Sequence, residues 1–246
     1  MNRLFIALLA LATLSWVACG DSNTPAVTTP TTTAVAAAVS PGITNIQIGQ
    51  TQAFTLTATP AAATVTWTSS NTNVMTIDEG GNATAVGVGA ATISGLGDAG
   101  QTAALTVQVV PIYQGNWTGT ATVIACTDLA GFTANNYCAQ NLGVPKRVTL
   151  TLTQAGLSVI GTMTKSEGAN LLTGSVGGVI LGAGDISMAG ALAGLANGAN
   201  LQLSVISWNS LADGRLMTGS WAGNVTSPQI LGLATLQWSL TMQTAP

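Results

Sequence analysis

Apolar and polar residues alternate one for one through much of this chain, which is the pattern of half-buried β-strands. Residues 54–59 and 65–68 alternate apolar side chains with threonine, and residues 234–243 alternate them with Thr, Gln and Ser. Clusters of Gly, Pro, Asn, Asp and Ser separate these runs at short intervals. Such spacing indicates an all-β protein built from many short antiparallel strands joined by tight turns.

The runs fall into two groups. Residues 41–110 hold about seven short strands, which predicts an antiparallel β-sandwich with Trp67 as its central core aromatic. Residues 111–246 hold about eight strands, which predicts a meander that closes into a β-barrel. These eight runs lie at 117–123, 148–153, 157–164, 171–176, 179–188, 201–208, 216–221 and 234–242.

The first group carries motifs in a characteristic order: IGQT at 48–51, VTWTSSN at 65–71, VMTID at 74–78, GNATAV at 81–86 and GAATI at 89–93. In these motifs the segment resembles a bacterial immunoglobulin-like domain of group 2. The resemblance implies an Ig-like sandwich of the kind found on bacterial surface proteins, where some members belong to adhesins and many are spacers. It implies no catalytic residue.

The second group is only weakly similar to lipocalin-like and avidin-like barrels, through GNWTG at 115–119 and GSWAG at 219–223. An eight-stranded barrel is either filled by its own side chains or holds one small ligand. The similarity implies no particular ligand-binding residue.

Residues 1–18 have a short positive start and an apolar run of fewer than the roughly 20 residues that span a bilayer, so they are predicted to be a signal peptide. Residues 15–19 resemble a lipobox, which implies that Cys19 carries a lipid and anchors the protein in the cell envelope, at the outer membrane or cell surface. The alternative is ordinary secretion. Residues 19–40 are a Thr/Pro/Ala-rich linker, unless residues 34–39 already form the next domain's first strand.

Three cysteines occur in the chain. If Cys19 carries lipid, Cys126 and Cys138 remain and are predicted to form one disulfide in an oxidising compartment. The chain has no histidine, so two cysteines alone cannot complete a zinc site, and we predict no metal.

Charge is sparse, with five Lys and Arg against eight Asp and Glu. The absence of a basic patch excludes nucleic acid as a partner. Without histidine there is no Ser-His or Cys-His nucleophile. Most of the acids, including Glu167, lie beside turn signals and are expected to be solvated, as is the dibasic pair Lys146-Arg147. We therefore predict no enzyme activity and no cofactor.

These observations lead to two hypotheses. The first is a non-enzymatic envelope lipoprotein in which the Ig-like domain is a spacer and the barrel contacts a glycan or a protein. The alternative is a carrier that holds a small apolar ligand inside the barrel. Trp208 is the candidate ligand-binding residue, because it lies out of phase with residues 201–205 and between two polar neighbours, and it is expected to face solvent and stack on sugars. The other interpretation makes Trp208 a rim residue that covers the barrel end.

Overall fold

The computed structural model describes residues 36–196 and 198–244. The predicted signal peptide, Cys19 and residues 20–35 of the linker lie outside the described residues. None of the described helices is long and apolar enough to cross a membrane. The described chain is all-β, as predicted, and forms a sandwich followed by a closed barrel.

The sandwich contains nine strands, two more than the alternation predicted. Its strands are β1 (Ala36–Ser40), β2 (Asn45–Gln47), β3 (Thr51–Ala53), β4 (Thr55–Thr59), β5 (Val65–Ser69), β6 (Met75–Ile77), β7 (Asn82–Ala85), β8 (Gly89–Gly97) and β9 (Thr102–Val110). They pair in the orders β1-β4, β3-β7-β6 and β2-β9-β8-β5. β3 and β4 are separated at Phe54, whose backbone N–H turns aside to donate to the carbonyl of Gly81 at 2.8 Å.

The start of the sandwich lies inside the predicted linker. β1 pairs antiparallel with β4 from Ala36 to Ser40. The alternative that this segment already forms the first strand of the domain is therefore the one that the structure shows.

The sandwich core is centred on Phe54, Met75 and Ile93, which are buried completely or almost so. Trp67 was expected at its centre, but it is only half-buried and packs against the edge of this cluster. β5, which carries Trp67, pairs with β8 alone and so forms one edge of its sheet. An edge strand leaves a large side chain partly open to solvent.

The barrel has eight strands, as predicted. They are β10 (Gly115–Asp128), β11 (Pro145–Ala155), β12 (Ser158–Glu167), β13 (Asn170–Ile180), β14 (Ile186–Ala196), β15 (Ala199–Asp213), β16 (Leu216–Ser227) and β17 (Ile230–Thr244). Each strand pairs antiparallel with the next, and β17 pairs with β10 to close the ring.

One predicted strand is wrong. The run at 179–188, which glycines interrupt, was expected to contribute one strand, but the chain turns between Ile180 and Ile186. Leu181 and Asp185 close this turn through a backbone hydrogen bond of 2.7 Å, and Gly184 adopts a φ of 90°, which favours glycine. Gly182 and Gly184 mark the turn in the sequence, while the apolar residues on either side of them favoured a single run.

The inward side chains of the barrel form one continuous hydrophobic cluster. At its centre, Trp208, Trp221 and Trp238 lie side by side on β15, β16 and β17. The rings of Trp221 and Trp238 stack with centroids 3.7 Å apart, and Trp208 stacks on Trp221 at 5.9 Å. Eight strands leave an interior that side chains of this size can fill.

Tyr113 joins the two domains. Its hydroxyl lies within hydrogen-bond distance of the carbonyls of Gly184 and Ser210, at 2.8 and 3.0 Å, and accepts from the backbone N–H of Ala212 at 3.2 Å. The Tyr113 carbonyl also accepts a hydrogen bond of 2.7 Å from the indole of Trp117. This buried residue therefore ties the connection between the domains to the barrel.

Candidate binding site at the barrel mouth

The two ends of the barrel differ. One end carries the sandwich, as shown by the side chain of Gln108, which donates to the carbonyl of Gly182 in the β13–β14 turn at 3.0 Å. Because the strands run antiparallel as a meander, the β12–β13 and β16–β17 turns lie at the opposite end. We call that end the mouth.

Residues 129–144 cover the mouth, and we call them the lid. They contain two short helices, α1 (Gly131–Ala134) and α2 (Tyr137–Asn141). Phe132 and Tyr137 join these helices in an edge-to-face contact with ring centroids 5.3 Å apart. Phe132 is fully buried in the hydrophobic cluster of the barrel and Tyr137 packs against that cluster, so the lid extends the barrel core.

Two anchors tie the lid to β10. The predicted disulfide between Cys126 and Cys138 is confirmed. The carboxylate of Asp128 accepts hydrogen bonds from the Cys138 backbone N–H at 3.0 Å and from the Thr133 hydroxyl at 3.2 Å. Both helices are thus held at the end of the same strand.

A pocket of about 360 Å³ lies beneath the lid. Its lid side presents Tyr137 and amide side chains, and its barrel side presents Lys146, Glu167 and the apolar Leu201 and Ile230. The pocket thus combines charged, neutral polar and apolar side chains, and its volume lies in the range of small-molecule sites.

The charged side chains that line the pocket, Lys146 and Glu167, form a buried cluster with Lys165. Lys165 is hydrogen-bonded to the carboxylate of Glu167 and is only 2% exposed. The ammonium of Lys146 lies 3.6 Å from the other carboxylate oxygen of Glu167. Two ammonium groups therefore share one carboxylate, and Lys146 is the one of the two lysines that lines the pocket.

Burial sets the electrostatics of this cluster. Desolvation lowers the pKa of Lys165, and the neighbouring Glu167 carboxylate partly offsets that shift. Burial raises the pKa of Tyr137 above its usual range, and the charge of Glu167 raises it further. Tyr137 therefore remains a neutral hydrogen-bond donor beside the cluster at physiological pH.

The expectation of solvated charges was wrong for two of these residues. Lys146 and Glu167 point inward because they continue the phase of apolar inward residues, Val148 on β11 and Met163 on β12. Lys165 belongs to the same phase. The alternation along β11 and β12 was the sequence signal for this cluster. The charge of these residues and the nearby turns instead favoured exposed side chains. Arg147, one residue from Lys146, is exposed as expected.

The expectation that Trp208 faces solvent was also wrong, because Trp208 is 1% exposed. A β-bulge between Val205 and Ser207 inserts Ile206, which is 58% exposed, and shifts the alternation by one residue. Trp208 therefore points inward with the strand's other apolar residues, and it lies in the Trp stack rather than on the barrel rim.

No three His, Cys, Asp or Glu side chains within 36–196 and 198–244 are placed to hold a metal ion together. A comparison with curated proteins found no match for this chain. The comparison with protein families found one in its first part, where residues 33–107 match the Bacterial Ig-like domain (group 2). This match covers nearly all of the sandwich and ends before the barrel, so the similarity to bacterial Ig-like domains of group 2 concerns the sandwich.

Proposed function

We propose that this protein is a non-enzymatic binding protein of the bacterial cell envelope, anchored through a lipid on Cys19. The Ig-like domain carries the barrel, and the barrel mouth contacts a glycan or a protein. One observation carries this proposal: the mouth and its lid lie at the barrel end opposite the Ig-like domain.

The placement of the two ends supports display of the mouth. An anchor on Cys19 would precede the Ig-like domain, which contacts the barrel near Gly182. Along the chain, the Ig-like domain would then stand between the anchor and the barrel. The buried hydroxyl of Tyr113 supports a fixed orientation, because it is bonded to backbone groups of the barrel.

The filled interior favours this function over the apolar-ligand carrier. A lipocalin-type carrier holds its ligand within the barrel, where this chain places a stack of three tryptophans. A pocket with charged and apolar lining residues lies at the mouth instead. Contact at the mouth therefore fits the geometry better than carriage inside the barrel.

The anchor is tested by labelling the full chain with radioactive palmitate in a Gram-negative host. Wild type should incorporate label and fractionate with membranes, and Cys19→Ser should lose both properties. The double variant Cys126→Ser/Cys138→Ser is the matched control, and it should keep the label. Label that persists in Cys19→Ser would contradict the anchor.

Contact through the mouth is tested with cells that display the protein on immobilised glycan and protein arrays. A bulky maleimide polymer attached to Ala139→Cys, on the lid, should abolish any binding that wild type shows. The same polymer on Ser158→Cys, at the sandwich end of the barrel, should leave it intact. The absence of any bound glycan or protein, or the reverse pattern of blocking, would overturn the proposal.

A further inference from the structure

We infer that the pocket beneath the lid binds a small organic anion with an apolar body, such as a carboxylate, and that Lys146 is the residue that contacts its charge. This inference rests on the proposed role of the barrel as a binding module, but not on the lipid anchor. It concerns a small molecule, whereas the displayed mouth contacts a macromolecule.

The first step concerns the net charge of the cluster formed by Lys146, Lys165 and Glu167. Lys146 and Lys165 supply two positive charges, and Glu167 supplies one negative charge. Among the residues of 36–196 and 198–244, no second carboxylate pairs with either lysine. A buried positive charge without a partner is unfavourable, and an anion in the pocket would remove that imbalance.

The second step separates the roles of the two lysines. Lys165 is bound directly to Glu167 and lies within 6.0 Å of the Trp238 ring, so its surroundings are already filled. Lys146 lies at the longer distance of 3.6 Å from Glu167, its side chain is 12% exposed, and it lines the pocket. Lys146 is therefore the ammonium group that a ligand can reach.

The third step concerns the rest of the ligand. Tyr137 adds a neutral hydroxyl near Glu167, and Leu201 and Ile230 add apolar surface to the same pocket. An inorganic anion would leave this apolar surface uncovered. A short alkyl or aryl group beside the anionic head would cover it, and the pocket volume of about 360 Å³ suits a molecule of that size.

The experiment is calorimetric titration of the full-length protein with three probes that share one alkyl chain: octanoate, octanol and octyltrimethylammonium. Octanoate should bind saturably, and the neutral and cationic probes should bind at least ten-fold more weakly. Equal binding of all three, or no saturable binding of octanoate, would overturn the inference without relying on any variant.

Lys146 and Arg147 provide a matched pair of variants. Lys146→Gln should weaken octanoate binding at least ten-fold, because it removes the ammonium in the pocket. Arg147→Gln removes the same charge from the outer wall one residue away and should leave binding unchanged. If both variants bind octanoate as wild type does, the cluster is structural only and the inference is wrong.

Two further measurements keep the result interpretable. Thermal unfolding of each variant identifies a loss of fold, and Lys146→Arg, which keeps the charge, should retain more octanoate binding than Lys146→Gln. Palmitate labelling and cell binding do not involve octanoate. Failure of the small-anion site and failure of the proposed envelope function are therefore separate outcomes.

Discussion

At the scale of single residues, the inward glycines of the barrel show how a narrow ring of strands can close. A Cβ atom on Gly161, Gly178 or Gly190 would overlap the backbone carbonyl oxygen of the neighbouring strand. None of these three glycines has a positive φ. Glycine is required at these positions because strongly coiled strands bring their inner faces so close together that a side chain does not fit.

We expect Gly178→Ala to lower the free energy of unfolding by about 1–3 kcal/mol, since the added methyl group must displace the Ser187 carbonyl. Gly182→Ala is the control, because a Cβ there meets nothing within 4 Å, and its effect should stay within about 0.5 kcal/mol. Urea denaturation of both variants measures the difference. Equal midpoints would contradict the steric explanation.

The charged residues at the mouth show where sequence interpretation reached its limit at this scale. The alternation that places Val148 and Met163 inward also places Lys146, Lys165 and Glu167 inward. Charge alone favours solvent, and only the positions of neighbouring strands reveal that the three side chains meet. The inward-facing positions of each strand could be read from the sequence, but the pairing that brings β11 and β12 together could not.

At the scale of elements, the lid depends on its attachments. Its helices contain four and five residues, and helices this short are not stable on their own. The disulfide and the Asp128 carboxylate hold them to β10. The structure of the pocket's outer wall therefore depends on these attachments and on the packing of Phe132 in the barrel cluster.

We expect the double variant Cys126→Ser/Cys138→Ser to lose about 3 kcal/mol of stability by the loop-entropy estimate for a closed loop of this length. The loss should be accompanied by faster hydrogen exchange in residues 129–144, while the β13 and β14 amides remain protected. Hydrogen-exchange mass spectrometry distinguishes this from general loosening. Faster exchange throughout the barrel would show that the disulfide supports more than the lid.

Element prediction succeeded where alternation was uninterrupted and failed where one residue broke it. The alternation of apolar with polar residues was clearest in the first and last barrel strands, and turn signals separated the runs between them into a count of eight. The bulge at Ile206 reversed the predicted orientation of Trp208. Before Ile186, apolar residues on both sides of two glycines led to one predicted run where the chain turns. The short helices of the lid have no periodicity long enough to read.

At the scale of the whole molecule, Tyr113 couples the barrel to the chain that leaves the sandwich. Its partners Gly184, Ser210 and Ala212 lie 71 to 99 residues away in sequence. The two domains were predictable from local patterns. Contacts between residues so far apart in sequence leave no local pattern, so the junction between the two domains could not be predicted.

Burial raises the pKa of Tyr113 to about 12, while an unfolded tyrosine titrates near 10. The unfolded chain therefore loses its proton first, and this contribution to stability is complete below about pH 10 and is lost as the pH rises to about 12. We expect Tyr113→Phe to be less stable at pH 8 and to show a shallower decline between pH 10 and 12. Urea denaturation across this range measures both, and parallel curves for the two proteins would contradict the assignment.

Closure of the barrel also bears on how this chain resists aggregation. Only 5% of its residues are charged, so it has few of the lysines and acids that commonly guard exposed strand edges. In the barrel every strand is hydrogen-bonded on both sides, and no edge is offered to another molecule. Among the described sheets, the edge strands belong to the sandwich and are short. β5, for example, has five residues. Closure of the barrel therefore protects strand edges from pairing with other molecules, as charged residues do at the exposed edges of other β-sheets.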